Sequence, residues 1–153
     1  MKISNTITVA GKSKHPLTVN RMGYGTMRLT GEGIYGEPPN RPEALQILKR
    51  AMDLDVRFLD TADYYGDDVT NRLIAEALYP YPKGLVICSK VGGARKPDKS
   101  WYAFNTPENL RTSIDRNLKT LKLEQMSLVH FRVMPHTDVP FKESMDAMFA
   151  LQK

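Results

Sequence analysis

Four stretches of the chain carry apolar residues at helical spacing, and short apolar runs separate them. The first has Leu45, Leu48, Ala51 and Met52 on one side. It follows Asn40, placed as an N-cap with Glu43 three residues on in capping-box position, and is expected to end near Leu54. The second runs from about Val69 to Tyr79, with Leu73, Ile74, Ala77 and Leu78 together, until the proline-containing PYPKG breaks it. The third opens on Thr106 as cap and Pro107 at its first position, and aligns Leu110, Ile114, Leu118 and Leu121. The fourth, Phe141 to Leu151, repeats Phe141, Met145, Met148 and Phe149. Between and before these helices lie β-prone runs at Val19 to Thr26, Val56 to Asp60, Leu85 to Lys90 and Ser127 to Val133. GEGIYGEPPN and VGGARKPDKSWYAFN read as loops. Residues 1–18 read as an added β-hairpin, ITVA and LTVN joined by GKSKHP. Four strands alternating with four helices predict an α/β fold with a parallel sheet of right-handed βαβ units.

Three of the predicted strands end in reactive side chains. Asp60 closes the second and Lys90 the third, while His130 and Arg132 lie on the fourth. Strands also end in polar residues simply because they emerge into solvent, but three converging ends favour a shared crevice at the carboxyl edge of the sheet. The segment after Asp60, TADYYG, adds Tyr64 and Tyr65. A tyrosine hydroxyl, with its reference pKa near 10, exchanges protons poorly at neutral pH unless an ammonium stabilises the phenolate. Lys90 can supply that ammonium and Asp60 can hold it charged and aimed, which makes a tuned general acid of the three. Spacing alone does not choose between the tyrosines. Asp63 is expected to cap the loop through backbone amides.

Composition removes several alternatives. The 153 residues, 41% hydrophobic and 25% charged, fit one globular domain. No apolar run reaches 18 residues, and the segment MKISNTITVAGKSKH lacks the apolar centre of a secretory signal, so a cytoplasmic protein without membrane partners is expected. The net charge of +5 is interleaved with acids rather than gathered on one stripe, and no nucleic-acid partner is expected. Its densest part, Arg95, Lys96 and Lys99 near Trp101 and Tyr102, reads as a solvated loop that can contact an anion. The aromatic pair either lines a substrate mouth or packs its own loop. Cys88 is the one cysteine and reads as a buried strand thiol. His15, His130 and His136 have no metal-ligand spacing, so no metal is expected.

The motifs GYGTM (Gly23 to Met27), DTADYYG (Asp60 to Gly66), NRLIAEAL (Asn71 to Leu78) and VICSKVG, ending at Gly92, run through most of the chain after the hairpin. In these the chain resembles the aldo-keto reductase family, (β/α)8-barrel enzymes that reduce carbonyl compounds with NADPH. The resemblance implies that Asp60, Tyr65 and Lys90 are catalytic, with Tyr65 protonating the developing alkoxide and Tyr64 on the variable position of the motif. It also implies that Gly25, Thr26 and Met27, with Asp60, lie beside the cofactor. The family's fourth catalytic residue is a histidine in a strand such as DLVQLHR. The matching run here, SLVHFRV, places Arg132 on that position and His130 two residues earlier, on the same face. Arg132 is favoured as donor to a carbonyl oxygen, because a bacterial subgroup similar to pyridoxal reductases has Leu-Arg there. Two residues depart from the pattern: Asp55 stands where a glycine commonly ends the first helix, and Ser127 replaces a strand aspartate.

A complete barrel takes about 250 residues. The resemblance therefore covers its amino-terminal half: one partial barrel domain over residues 1–153, with about four βα units. It implies an NADP-dependent oxidoreductase acting on a small carbonyl substrate, with open edges through which copies can associate. The alternative is a truncated barrel fragment that serves as an interaction or structural module without catalysis.

Overall fold

The computed structural model describes residues 4–152; the first three residues of the expected hairpin segment and Lys153 lie outside that range. The hairpin consists of β1 (Thr6–Val9) and β2 (Leu17–Asn20), antiparallel with Ile7 opposite Val19. The strand expected from Val19 to Thr26 is divided. β2 closes the hairpin at Asn20, β3 is only Tyr24–Gly25, and Thr26–Leu29 winds into a 3-10 turn. Thr26 is buried and donates from Oγ1 to Asp60 O at 3.0 Å, which turns the chain inward before the strand can lengthen.

α1 (Arg41–Asp53) starts where the capping box predicts, with Asn40 accepting from the Glu43 N–H at 3.2 Å. Its exit passes through Asp55 at φ 58°, a left-handed position taken here by aspartate instead of glycine. The Asp55 N–H donates to Met52 O at 3.0 Å, and Arg57 Nε lies 3.1 Å from its carboxylate. β4 (Phe58–Asp60), α2 (Val69–Leu78), α3 (Pro107–Leu121) and α4 (Phe141–Leu151) follow the expected order. Thr106 caps α3 by accepting from the Asn109 N–H at 3.1 Å.

β5 (Val86–Arg95) continues five residues past Lys90, and β6 (Trp101–Phe104) folds back on it antiparallel, with Gly92 opposite Phe104. The segment expected to be a loop is thus a second hairpin. β7 (Leu128–Phe131) is shorter at both ends than expected and lies on the other side of β5. The parallel order is β3-β4-β5-β7, with β6 attached to the extension of β5.

Leu48, Leu73, Ile74 and Leu121 from three helices bury against Leu59 and Ile87 of the sheet. Above this apolar layer a buried polar chain joins sheet to helices. Thr61 Oγ1 donates to Asn71 Oδ1 at 2.9 Å, Asn71 Nδ2 to Asn117 Oδ1 at 2.9 Å, and Ser89 Oγ to the same oxygen at 2.6 Å. Each such bond contributes about 1 kcal/mol net, and losing one partner leaves a buried polar atom unsatisfied. The network therefore fixes the carboxyl end of β4 and the middle of β5, where the reactive residues sit.

Candidate active site

Parallel register sets the first geometry of the site. Gly25 lies opposite Asp60, Asp60 opposite Cys88, and Lys90 opposite His130. Lys90 Nζ donates to the Asp60 carboxylate and to Thr61 O, the latter at 3.0 Å. The ammonium is half-buried and lies 4.8 Å from the centre of the Tyr65 ring. Asp60, Lys90 and Tyr65 are thereby gathered at one point, from β4, β5 and the turn between β4 and α2.

That turn treats its two tyrosines differently. Tyr64 is 2% exposed, and its buried hydroxyl has no hydrogen-bond partner among the described residues, with the Arg132 guanidinium as its charged neighbour. Its ring packs edge-on against Tyr65 and Trp101, with centroids 5.4 and 5.5 Å away, and burial raises its pKa. Gly66 ends the turn at φ 68°, where a Cβ would come within 2.8 Å of both Thr30 and Val69. The chain can pass there only as glycine.

Asp63 accepts a backbone hydrogen bond from Asp68 N at 2.8 Å through its own carbonyl, while its side chain is buried. Burial pushes the carboxyl up to about 7, against the pull of Arg116 and the Tyr64 N–H. Among the described residues its Oδ1 has no hydrogen-bond partner, and neither has the buried Oγ of Ser113 beside it. Sequence spacing pointed to loop capping and gave no hint of this burial, which α3 supplies from nearly 50 residues away.

The remaining sequence candidates fall into two layers. His130 presents its ring nitrogens 3.8 and 3.9 Å from Cys88 Sγ, and the ligand atoms of Asp60, Cys88 and His130 lie within 4.8 Å of one another. No sequence spacing could reveal this group, because its members come from three strands. The Lys90 ammonium already sits on the Asp60 carboxylate and competes with any cation there. Burial raises the Cys88 thiol to about 11, so it stays protonated and unreactive. Arg132 lies beyond, its backbone N–H bound to Val91 O at 2.8 Å and its guanidinium 5.3 Å from the Trp101 ring centre. Trp101 also carries Arg95 at 4.1 Å, a contact the sequence left undecided.

Gly25 tests the fit of a nicotinamide. A Cβ there would meet nothing within 4 Å, so the strand offers a bare edge next to Asp60 against which a flat ring can lie. Thr26 is buried below this edge and Met27 is half-buried beside it.

Parallel βα units in the order β3-β4-β5-β7, with Asp60, Lys90 and Tyr65 converging, make the amino-terminal half of a (β/α)8 barrel. Residues 21–153 match the model of the aldo/keto reductase family, and the chain belongs to that family. It is 44% identical over 131 residues to pyridoxine 4-dehydrogenase of Escherichia coli K12, covering 86% of this chain and 44% of that protein. An uncharacterized oxidoreductase of Schizosaccharomyces pombe is 39% identical over 138 residues, covering 90% and 44%. The glycerol dehydrogenase AKR11B4 of Gluconobacter oxydans superposes on 97% of the chain, and on 45% of its own, with a TM-score of 0.80 at 21% identity. The chain thus spans less than half the length of these relatives.

Proposed function

We propose that this chain carries the proton-transfer half of an NADPH-dependent reductase that converts an aldehyde or ketone to an alcohol. The observation that carries this reading is the convergence of Lys90 on Asp60, Thr61 O and the Tyr65 ring. When bound, the reduced nicotinamide supplies a hydride to the carbonyl carbon. Tyr65 Oη gives its proton to the carbonyl oxygen as that oxygen gains negative charge, and recovers a proton from water. Lys90 stabilises the phenolate left behind, and Asp60 keeps Lys90 aimed across the ring. Gly25, Thr26 and Met27 form the edge that receives the nicotinamide. His130 of β7 flanks the trio in the Asp60 layer, and Arg132, just past the end of β7, carries its guanidinium over Trp101. The similarity to pyridoxine 4-dehydrogenase supports an aromatic aldehyde such as pyridoxal as first test substrate.

Cofactor binding, followed by nicotinamide fluorescence, and turnover are measured on the wild type and on Tyr65→Phe. Binding is expected in both, with turnover reduced at least ~100-fold in the variant, as for loss of a general acid. Undiminished turnover would remove Tyr65 from its role. Absence of binding at millimolar NADPH would favour the second reading, a non-catalytic barrel fragment. The unpaired outer edge of β7 and the exposed Val133 and Phe141 support that alternative.

A further inference from the structure

Arg132 is the cation of this site without a counter-ion. Lys90 has Asp60, whereas among the described residues neither Arg132 nor Arg95 forms an ion pair. Arg95 is nevertheless saturated: it donates to Gly33 O at 2.8 Å, Ile34 O at 3.2 Å and Lys99 O at 2.6 Å, which ties the β5–β6 hairpin to the loop after the 3-10 turn. Arg132 has only the weak acceptor Met134 Sδ, 3.1 Å from its Nε. The buried Tyr64 hydroxyl lies close enough to feel the guanidinium's charge, but among the described residues no carboxylate pairs with it. The hairpin adds Lys96 to the same quarter, while its acid, Asp98, is engaged in its own turn with Ser100 N at 2.8 Å and Oγ at 2.6 Å.

The guanidinium is also held in place. Trp101 lies under both Arg132 and Arg95, and Tyr64 packs edge-on against the indole at 5.5 Å. A planar, pre-oriented fork with open donors matches a carboxylate or phosphate better than a single carbonyl oxygen. Position agrees: Arg132 lies two residues beyond His130, the partner of Lys90, hence about 7 Å further out along the strand direction.

We infer that Arg132, on its Trp101 platform, binds an oxyanion, carboxylate or phosphate, on a carbonyl substrate whose reactive carbon lies toward Tyr65. This rests on the reductase reading for the word substrate, and it moves Arg132 from polarising the carbonyl to selecting what enters.

Trp101 is the chain's one tryptophan, so its fluorescence reports on this spot without turnover or cofactor. The full chain is titrated with benzoate and with the neutral isostere benzamide at constant ionic strength, together with Arg132→Gln and Arg132→Lys. The expected result is a saturable response to benzoate at least tenfold tighter than to benzamide, weakened by added chloride, lost in Arg132→Gln and partly kept in Arg132→Lys. Equal affinity for the two ligands, insensitivity of the wild type to chloride, or an unchanged benzoate response in a folded Arg132→Gln overturns the assignment. A benzoate response in a chain that turns over no aldehyde would leave the anion site standing and remove the reductase reading. Reduction of 4-methylbenzaldehyde as efficiently as 4-carboxybenzaldehyde would do the reverse.

Discussion

Asp63 is the residue whose charge state the fold changes most visibly. A carboxyl raised to about 7 binds its proton in the native chain between pH 4 and 7, where an unfolded aspartate has lost it. The native state therefore holds more protons than the unfolded one in that window, and stability falls as pH rises through it, levelling off above 7. The full shift corresponds to an upper bound of about 4 kcal/mol at about 1.4 kcal/mol per unit. Asp63→Asn stays neutral throughout, and its amide can donate toward the buried Ser113 oxygen. Urea midpoints at pH 5 and pH 8 are expected to fall clearly in the wild type and much less in Asp63→Asn; equal declines would mean that other groups, such as Asp68, dominate. Nothing in the sequence around Asp63 signals this, because a carboxylate in a glycine-ended turn reads as a loop cap. Asp60 and Lys90 were legible for the opposite reason: each follows a short apolar run, and although β5 continues past Lys90, the parallel register of β4 and β5 puts Lys90 two residues beyond the partner of Asp60, on the same face. The choice of Tyr65 came from resemblance, and the burial of Tyr64 against Trp101 needed tertiary structure to appear.

At the scale of elements, helices were easier to read than strands because their starts are local. Asn40 with Glu43, and Thr106 with Pro107, are short-range devices that work in any surroundings. The β5–β6 hairpin depends instead on Gly92 and Gly93 lying in a strand, which glycine ordinarily weakens, and the two residues meet different surroundings. A Cβ on Gly92, at φ 103°, would stand 2.5 Å from Arg132 O and 2.7 Å from the Phe131 ring, whereas Gly93 has only Met134 and Arg132 side chains near it. Gly92→Ala is accordingly expected to push β7 away from β5. The cost is about 3 kcal/mol, read as a lowered urea midpoint, with loss of the Trp101 response to benzoate. Gly93→Ala is the control: its Cβ meets flexible side chains at 3.4 Å or more and should change both far less. If the two variants behave alike, the close approach of β5 and β7 is not what holds Arg132 in position.

For the whole molecule the decisive feature is the edge of the sheet. β3 is two residues long and β7 has one unpaired side, where Val133 is 61% exposed and Phe141 60%, the latter stacked on Phe131 at 6.2 Å. An open strand beside exposed aromatics is a template for pairing, and β7 can pair with β7 of a second copy as readily as with another chain. A cavity of about 940 Å³ between the amino-terminal hairpin, α3 and α4 adds uncovered surface, lined by Leu17, Leu118 and Phe149. Association is therefore expected from burial alone, whether or not the chain turns over a substrate. In sedimentation velocity the mass should rise above the 17.3 kDa of one chain as concentration increases. Val133→Lys with Phe141→Glu should return it to the monomer, with a modest loss of stability from the Phe131–Phe141 stack that Phe141→Glu removes. A wild type that stays monomeric at all concentrations would mean that the edge of β7 is protected. Association that persists in the double variant would move the contact to β3 or to the cavity. Catalysis and association can then be read apart: a monomeric double variant that keeps cofactor binding places the cofactor edge within one copy, while loss of binding together with association makes the second copy part of the site.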